Sequence, residues 1–275
     1  MENSNNLPQH LFVYECRGPR SPGTEPALPG FLGLWPEPPF YYLFFDRESE
    51  SAVKHWIQDQ SGWILNGAYS LDYEQWQHVS LSDQRVGPFL IHTGKDEEEP
   101  IHPEGGYLIR MNPGLVFGSG LHPTTRGCLL TMAELFKAVP VKTVVDLGTG
   151  TGILAIAGAL LGATRVVGLD CIPLAVAVAL QNVRANHVEE RVKLLVAREL
   201  EVLREPSDLL LMNIEWPCLR EVLRGSEWRR YPRVIMSGFL AAQWKEFEAM
   251  LPSGHRVERR TSIEDWMTAV ISGMF

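Results

Sequence analysis

Apolar and polar residues alternate in regular blocks over the second half of the chain. Short apolar runs predict strands at 143–147, 165–170, 191–196, 208–212 and 232–237. Longer segments with helical spacing predict helices at 124–138, 152–161, 173–186, 217–225 and 240–251. Two further runs, at 255–261 and 266–272, predict a closing pair of strands. This order predicts a doubly wound α/β domain with a mostly parallel, seven-stranded sheet whose last hairpin lies antiparallel at one edge.

The first 80 residues follow a different pattern. Strands are predicted at 11–16, 40–46 and 67–72. Apolar residues at helical spacing predict a helix within 47–60, whereas the prolines and glycines of 18–30 exclude a regular element there. We therefore predict a small N-terminal α+β domain over residues 1–80 and the α/β domain over residues 81–275.

Two more apolar runs, at 87–94 and 106–112, precede the alternating region. The segment between them, KDEEEPIHPEG, is acidic and contains two prolines. A charge run of this kind is typical of a solvated segment, so we predict two strands joined by a solvated hairpin loop.

A glycine loop follows the first strand of the α/β domain. Residues 143–152 read TVVDLGTGTG, with Asp146 before Gly148, Gly150 and Gly152, and the next strand ends at Asp170. An acid beside a pyrophosphate would be repelled, whereas the cationic ammonium and sulfonium of S-adenosylmethionine tolerate it, and Asp170 can accept both ribose hydroxyls. The pattern favours S-adenosylmethionine. The alternatives are a nicotinamide or flavin cofactor, or a plain β–α turn.

A second candidate segment, NPGLVFGSGLHPTT at 112–125, combines three glycines with two prolines between a strand and a helix. Thr124 or Thr125 would cap the helix. We predict a lid that closes over the cofactor and brings donors from His122 and Thr125; the alternative is a flexible loop with a good N-cap. We also predict that Phe117 and Gly118 of the same segment bind the cofactor.

A third candidate is Asn213, which follows the apolar strand in DLLLMNIEWP, where open α/β sheets place ligands. Its carbonyl groups can hold an amine with the nitrogen lone pair toward a methyl donor, so we predict a catalytic role. The alternative is a turn-forming asparagine. Glu215 is either a general base or a solvated acid, and Trp216 either lines the pocket or packs in the core.

Composition narrows the function classes. The net charge of −8 argues against a general nucleic-acid binder, which needs a basic surface. The four cysteines and eight histidines show no metal-ligand spacing, so we predict reduced thiols and no metal site. The polar N-terminus does not resemble a secretory signal, and no apolar run approaches the roughly 20 residues of a membrane span. We therefore expect a cytoplasmic protein with no membrane partner.

The ordered segments NPGLVFGSGLHPTT, VVDLGTGTGILAIAGALLGA, VVGLD, LLLMNI and IMSGFLAAQ resemble the ribosomal protein L11 methyltransferase (PrmA) family. Related protein-lysine methyltransferases that modify electron-transfer flavoprotein share the resemblance, which covers about 110–275 and includes Trp266. FGSGLHPTT is more specific to this group than the glycine loop.

The resemblance implies a class I methyltransferase (Rossmann-like) fold and transfer of methyl groups from S-adenosylmethionine to protein amines, with ribosomal protein L11 as the expected acceptor. The cofactor residues carried over by motif are Thr125, Gly148, Asp170 and Asn213. It also implies that residues 10–75 form a ferredoxin-like module that docks the substrate.

Two departures from the family concern substrate recognition. IEWPC replaces the family's leucine-alanine-glycine-proline-like run after Asn213, and the 18–30 loop stands where the N-terminal module has its first helix, which suggests a truncated module. The alternatives are therefore a methyltransferase for another protein or a small molecule, or a binding protein that keeps the cofactor without catalysis.

Overall fold

The computed structural model describes residues 10–19, 26–37, 39–72, 83–93, 100, 102–112 and 122–273. The chain divides into two compact units. The first comprises Met1–Ser80 with Ile172–Leu174, and the second comprises Leu81–Cys171 with Ala175–Phe275.

The first unit contains a four-stranded antiparallel sheet in the order β2-β3-β1-β4. Its strands are β1 (His10–Arg17), β2 (Phe31–Glu37), β3 (Phe40–Phe45) and β4 (Ile64–Asp72). Helix α1 (Glu50–Gln58) lies between β3 and β4 in the chain. Alternate residues of β3 are buried, and they form a core with Val53 and Ile57 of α1. The ferredoxin-like assignment of this unit stays a prediction.

Strand β2 was not predicted from the sequence. Its run FLGLWPE contains Gly33 and Pro36, which weaken the apolar pattern of a strand. β2 forms an edge of the sheet, where it pairs only with β3 among the described strands. A proline is tolerated at a sheet edge because no ladder hydrogen bond from its nitrogen is needed there.

The second unit contains the predicted seven-stranded sheet, in the order β10-β9-β8-β11-β12-β14-β13. Its strands are β8 (Thr143–Leu147), β9 (Arg165–Asp170), β10 (Val192–Val196), β11 (Leu209–Asn213), β12 (Arg233–Leu240), β13 (His255–Ile263) and β14 (Trp266–Gly273). Strands β8 to β12 are parallel, and β14 runs antiparallel to both of its neighbours. The prediction of a doubly wound sheet with a closing hairpin at one edge is confirmed.

Helices cover both faces of this sheet. They are α2 (Pro123–Ala138), α3 (Ile153–Leu160), α4 (Pro173–Ala185), α5 (Trp216–Arg224) and α6 (Trp244–Met250). Short 3₁₀ turns cover Leu200–Val202, Glu227–Arg230 and Ala241–Gln243. Leu209 and Leu211 of β11 belong to the core cluster that includes α2 and α3, whereas Leu210 and Met212 belong to the cluster that includes α5 and α6. Burial on both faces explains why the strands are apolar runs without polar alternation.

A small third sheet contains β5 (Gln84–Val86), β6 (Phe89–His92) and β7 (Tyr107–Arg110) in that order. β6 and β7 are parallel, so the predicted hairpin between them is wrong. A hairpin joins antiparallel strands, whereas parallel strands need a crossover of about a dozen residues or more, which residues 93–106 can supply. Charge and proline content marked a connection correctly but carried no information about strand direction.

No helix within the described ranges is both long and apolar enough to cross a membrane.

Candidate functional site

The glycine loop, Asp170 and Asn213 meet at one edge of the seven-stranded sheet, which is formed by the carboxyl ends of its parallel strands. Strands β9, β8 and β11 are neighbours and run in the same direction. Asp170 ends β9 and Asn213 ends β11, while the glycine loop begins immediately after β8. The sheet topology therefore brings together residues that are more than 60 positions apart, at the edge where open α/β sheets bind ligands.

The glycine loop adopts a backbone that other residues would resist. Gly148, Gly150 and Gly152 all have positive φ angles, of 74°, 53° and 83°. The backbone N–H groups of Gly148 and Thr149 both donate to the Leu169 carbonyl, at 2.8 and 2.9 Å. These bonds attach the loop to the end of β9, and Gly152 is the N-cap residue of helix α3.

Asp170 holds the middle of this loop. Its Oδ2 accepts a hydrogen bond of 2.9 Å from the backbone N–H of Gly150, and the residue is 9% exposed. The bond fixes the carboxylate beside the loop. An acceptor group is thus positioned at the strand end where the sequence predicted a ribose-binding acid, and that role stays a prediction.

Asp146 lies beneath the loop and is only 1% exposed. Its Oδ2 accepts a hydrogen bond of 2.7 Å from the Thr149 hydroxyl. Within the described part of the chain, its Oδ1 is buried without a hydrogen-bond partner. The pKa of Asp146 is raised to about 7: burial is the main cause and the Asp170 carboxylate also raises it, whereas the Thr149 hydroxyl and the backbone N–H of Ala155 lower it. In its charged form a buried carboxylate of this kind favours a positive charge nearby.

Asn213 contacts the start of helix α2. Its Nδ2 donates to the Thr125 hydroxyl at 3.3 Å, and Thr125 is 1% exposed. The carboxamide is therefore held by the HPTT segment, although the two residues are 88 positions apart. The structure thus brings the second and third candidate segments together.

His122 caps helix α2. Its Nδ1 accepts from the Thr124 backbone N–H at 3.3 Å and lies 2.8 Å from the Thr124 hydroxyl. Its ring packs edge-on against Trp266, with 4.8 Å between ring centroids. Burial lowers the pKa of His122, which favours the neutral ring that this capping bond requires. The sequence predicted Thr124 or Thr125 as the cap; the structure gives that position to His122.

The other residues predicted from the sequence differ in where the structure places them. Phe117 and Gly118 lie outside the described residues. Trp216 is buried in a core cluster and packs against Phe239, at 5.6 Å between ring centroids. Glu215 is exposed at the residue before helix α5. Of the two open assignments, core packing therefore describes Trp216.

Two features that shape the site were not predicted from the sequence. One is Thr149, whose hydroxyl binds Asp146; the signal was a threonine inside the glycine loop. The other is a pair of asparagines, Asn182 and Asn186, whose side chains bind backbone groups of residues 110, 112 and 151. Their signal was a polar residue at positions of the predicted helix 173–186 where the helical pattern called for an apolar one. Among the described side chains, no group of three His, Cys, Asp or Glu residues is suited to hold a metal ion.

This architecture, with a glycine loop after one parallel strand and an acid at the end of the next, defines a class I methyltransferase (Rossmann-like) fold. The chain belongs to the ribosomal protein L11 methyltransferase (PrmA) family, whose sequence model matches residues 67–273.

Individual relatives agree with this assignment. A ribosomal protein L11 methyltransferase of Geobacillus kaustophilus is 36% identical over 170 residues, which cover 59% of this chain and 53% of that protein. One from Bacillus cereus is 34% identical over 199 residues, covering 70% and 60%. The crystal structure of ribosomal protein L11 methylase from Lactobacillus delbrueckii subsp. bulgaricus superposes with a TM-score of 0.61 and 26% identity, covering 72% of this chain and 98% of that one. This chain thus spans between about half and three fifths of the length of these two curated relatives.

Proposed function

We propose that this protein is an S-adenosylmethionine-dependent methyltransferase that modifies protein amines, either lysine side chains or an N-terminal amine, and that its acceptor is ribosomal protein L11. The observation that carries the proposal is the bond between Asp170 and the glycine loop. It places a carboxylate acceptor beside a loop of left-handed glycines, in a chain of the PrmA family.

The residues present fit S-adenosylmethionine better than a dinucleotide. Asp170 offers carboxylate oxygens to ribose hydroxyls, and Val196, which pairs with Asp170 and is 55% exposed, offers apolar surface for a purine. A nearby cation would stabilise the charged form of the buried Asp146 carboxyl, whereas a pyrophosphate would oppose it. The rest of the proposed cofactor site comes from the glycine loop and the HPTT segment, with two residues of the segment before it: Gly148, Gly150, Gly152, His122, Thr124, Thr125, Phe117 and Gly118. When bound, S-adenosylmethionine supplies an electrophilic methyl group.

The chain's own contribution to the chemistry is positioning. Because Asn213 Nδ2 is bound to Thr125, its carbonyl oxygen lies on the opposite branch, where it can accept an N–H of the acceptor amine and orient the nitrogen lone pair. The amine must be neutral, and a free lysine has a pKa of about 10.4, so exclusion of water has to favour the uncharged form. Exposed Glu215 is poorly placed to act as a buried general base. We assign the catalytic role to Asn213.

Recognition of the acceptor is assigned to the N-terminal unit, residues 1–80. The choice of ribosomal protein L11 as the acceptor is supported by the names of the relatives, which identify it as the protein that they methylate. A second candidate, another protein acceptor, is favoured by a different observation. The family match begins only at residue 67, so most of this unit lies outside it. We place the protein in the cytoplasm, without a nucleic-acid or membrane partner.

The test is to incubate the whole protein with S-adenosylmethionine and purified L11 from the same source, and to measure the mass of L11. Mass increases in steps of one methyl group support the proposal. Radiolabelled cofactor added to a lysate provides the second arm. Labelling of a different protein would reject L11 and keep the methyltransferase, whereas no labelling together with intact cofactor binding would indicate a silent binding protein.

A further inference from the structure

Two asparagine side chains, Asn182 in the last turn of α4 and Asn186 immediately after the helix, bind the backbone at the end of β7. Asn186 Oδ1 accepts from Arg110 N–H at 2.9 Å, and its Nδ2 donates to the Arg110 carbonyl at 2.6 Å. Asn182 repeats the arrangement with Asn112, at 2.7 and 3.0 Å. Each carboxamide therefore satisfies both backbone groups of one residue, as a neighbouring strand would.

This contact occupies the edge of β7 opposite β6. Tyr107 and Met111 donate their backbone N–H groups to β6 and its flank, at Pro88 and His92. Arg110 and Asn112 therefore present their backbone groups to the other side, toward α4. The two asparagines thus supply the hydrogen bonds that a further strand would make to Arg110 and Asn112.

Asn182 has an additional bond that Asn186 lacks. Its Nδ2 also donates to the Thr151 carbonyl, at 2.9 Å, within the glycine loop. Asn182 is completely buried, and Gly152 beside this contact packs closely on Ala179 of the same helix. One side chain thus joins the glycine loop to the residue from which the chain continues toward His122 and Thr125.

We propose that Asn182 is a positioning residue of the methyl-donor site. It acts through Thr151 and Asn112, and it holds the glycine loop in register with the backbone at Asn112, just after β7. The inference rests on the proposed function. Asn186 makes the equivalent bonds to Arg110, and its Nδ2 also donates to the Asn182 backbone carbonyl at 2.8 Å, which anchors the end of α4. These hydrogen bonds do not include the glycine loop, so it contributes to folding alone.

The experiment compares Asn182→Ala with Asn186→Ala in the full chain. For both variants and the wild type, we would measure the melting temperature. Calorimetry well below that temperature would then give the affinity for S-adenosylhomocysteine. Both variants should melt at lower temperature, because each leaves backbone groups unsatisfied. Asn182→Ala alone should weaken binding, by about tenfold for the loss of a buried hydrogen bond to the loop. Asn186→Ala should bind as the wild type does.

Equal affinities in both variants would overturn the inference and leave Asn182 a folding residue. Absence of binding to the wild type would instead overturn the proposed function, so the two failures differ. Hydrogen exchange of the wild type decides the question if Asn182→Ala does not fold. S-adenosylhomocysteine should slow exchange of the Asn112 amide together with those of residues 148–152, and it should leave the Arg110 amide unchanged. An Asn112 amide that behaves like that of Arg110 contradicts the proposal.

Discussion

The buried carboxyl of Asp146 makes a quantitative prediction about stability. The perturbation is Asp146→Asn, which replaces the titrating group by a neutral one of the same shape. In the folded chain burial raises the pKa of Asp146 from 3.8 to about 7. Keeping the carboxylate charged above pH 7 therefore costs the fold about 4 kcal/mol, at about 1.4 kcal/mol for each pH unit.

The direction of the pH dependence follows from which state of the chain, folded or unfolded, binds the proton more tightly. Because the folded protein holds it up to about pH 7, this contribution to stability is complete below about pH 4 and is lost as the pH rises through 7. The asparagine variant has no such loss. The difference in the free energy of unfolding, variant minus wild type, should therefore grow by about 3 kcal/mol between pH 5 and pH 8.

The assay is urea denaturation of both ligand-free proteins at pH 5, 6, 7 and 8. Asp208→Asn serves as the control: burial alone would raise the pKa of Asp208, but the backbone N–H groups of Lys142 and Thr143 lower it below its usual value. Its difference from the wild type should stay constant over this range and change only at lower pH. A constant difference for Asp146→Asn as well would refute the reasoning, because it would mean that the buried group titrates normally.

Three further predictions concern the proposed site. Asp170→Ala should weaken S-adenosylmethionine binding by roughly ten- to a hundredfold through the loss of carboxylate hydrogen bonds, and calorimetry showing equal affinity would reject the ribose assignment. Asn213→Ala should reduce methyl transfer by about tenfold or more with cofactor affinity changed less, since it is assigned to the acceptor amine; single-turnover rates compared with Kd separate the two effects. Hydrogen exchange at residues 122–126 should slow on addition of S-adenosylhomocysteine, and unchanged exchange would make this segment purely structural.

The order of elements in the α/β domain was determined by the sequence itself. Strands that are buried on both faces appear as apolar runs, and amphipathic helices between them keep their spacing whatever the final packing. The glycine loop was also predictable, because left-handed backbone at Gly148, Gly150 and Gly152 requires that residue locally. So was the position of Asp170, since strand ends in parallel sheets collect at one edge.

Only the tertiary structure decided which distant groups meet. The bond between Asn213 and Thr125 spans 88 positions and depends on where α2 begins relative to β11. The parallel pairing of β7 with β6 is likewise absent from either segment's pattern, and the bonds between Asn112 and Asn182 join residues 70 positions apart. Local patterns report the period and polarity of a segment, whereas these contacts arise from strand order and from the need to satisfy buried backbone groups, which no single segment contains.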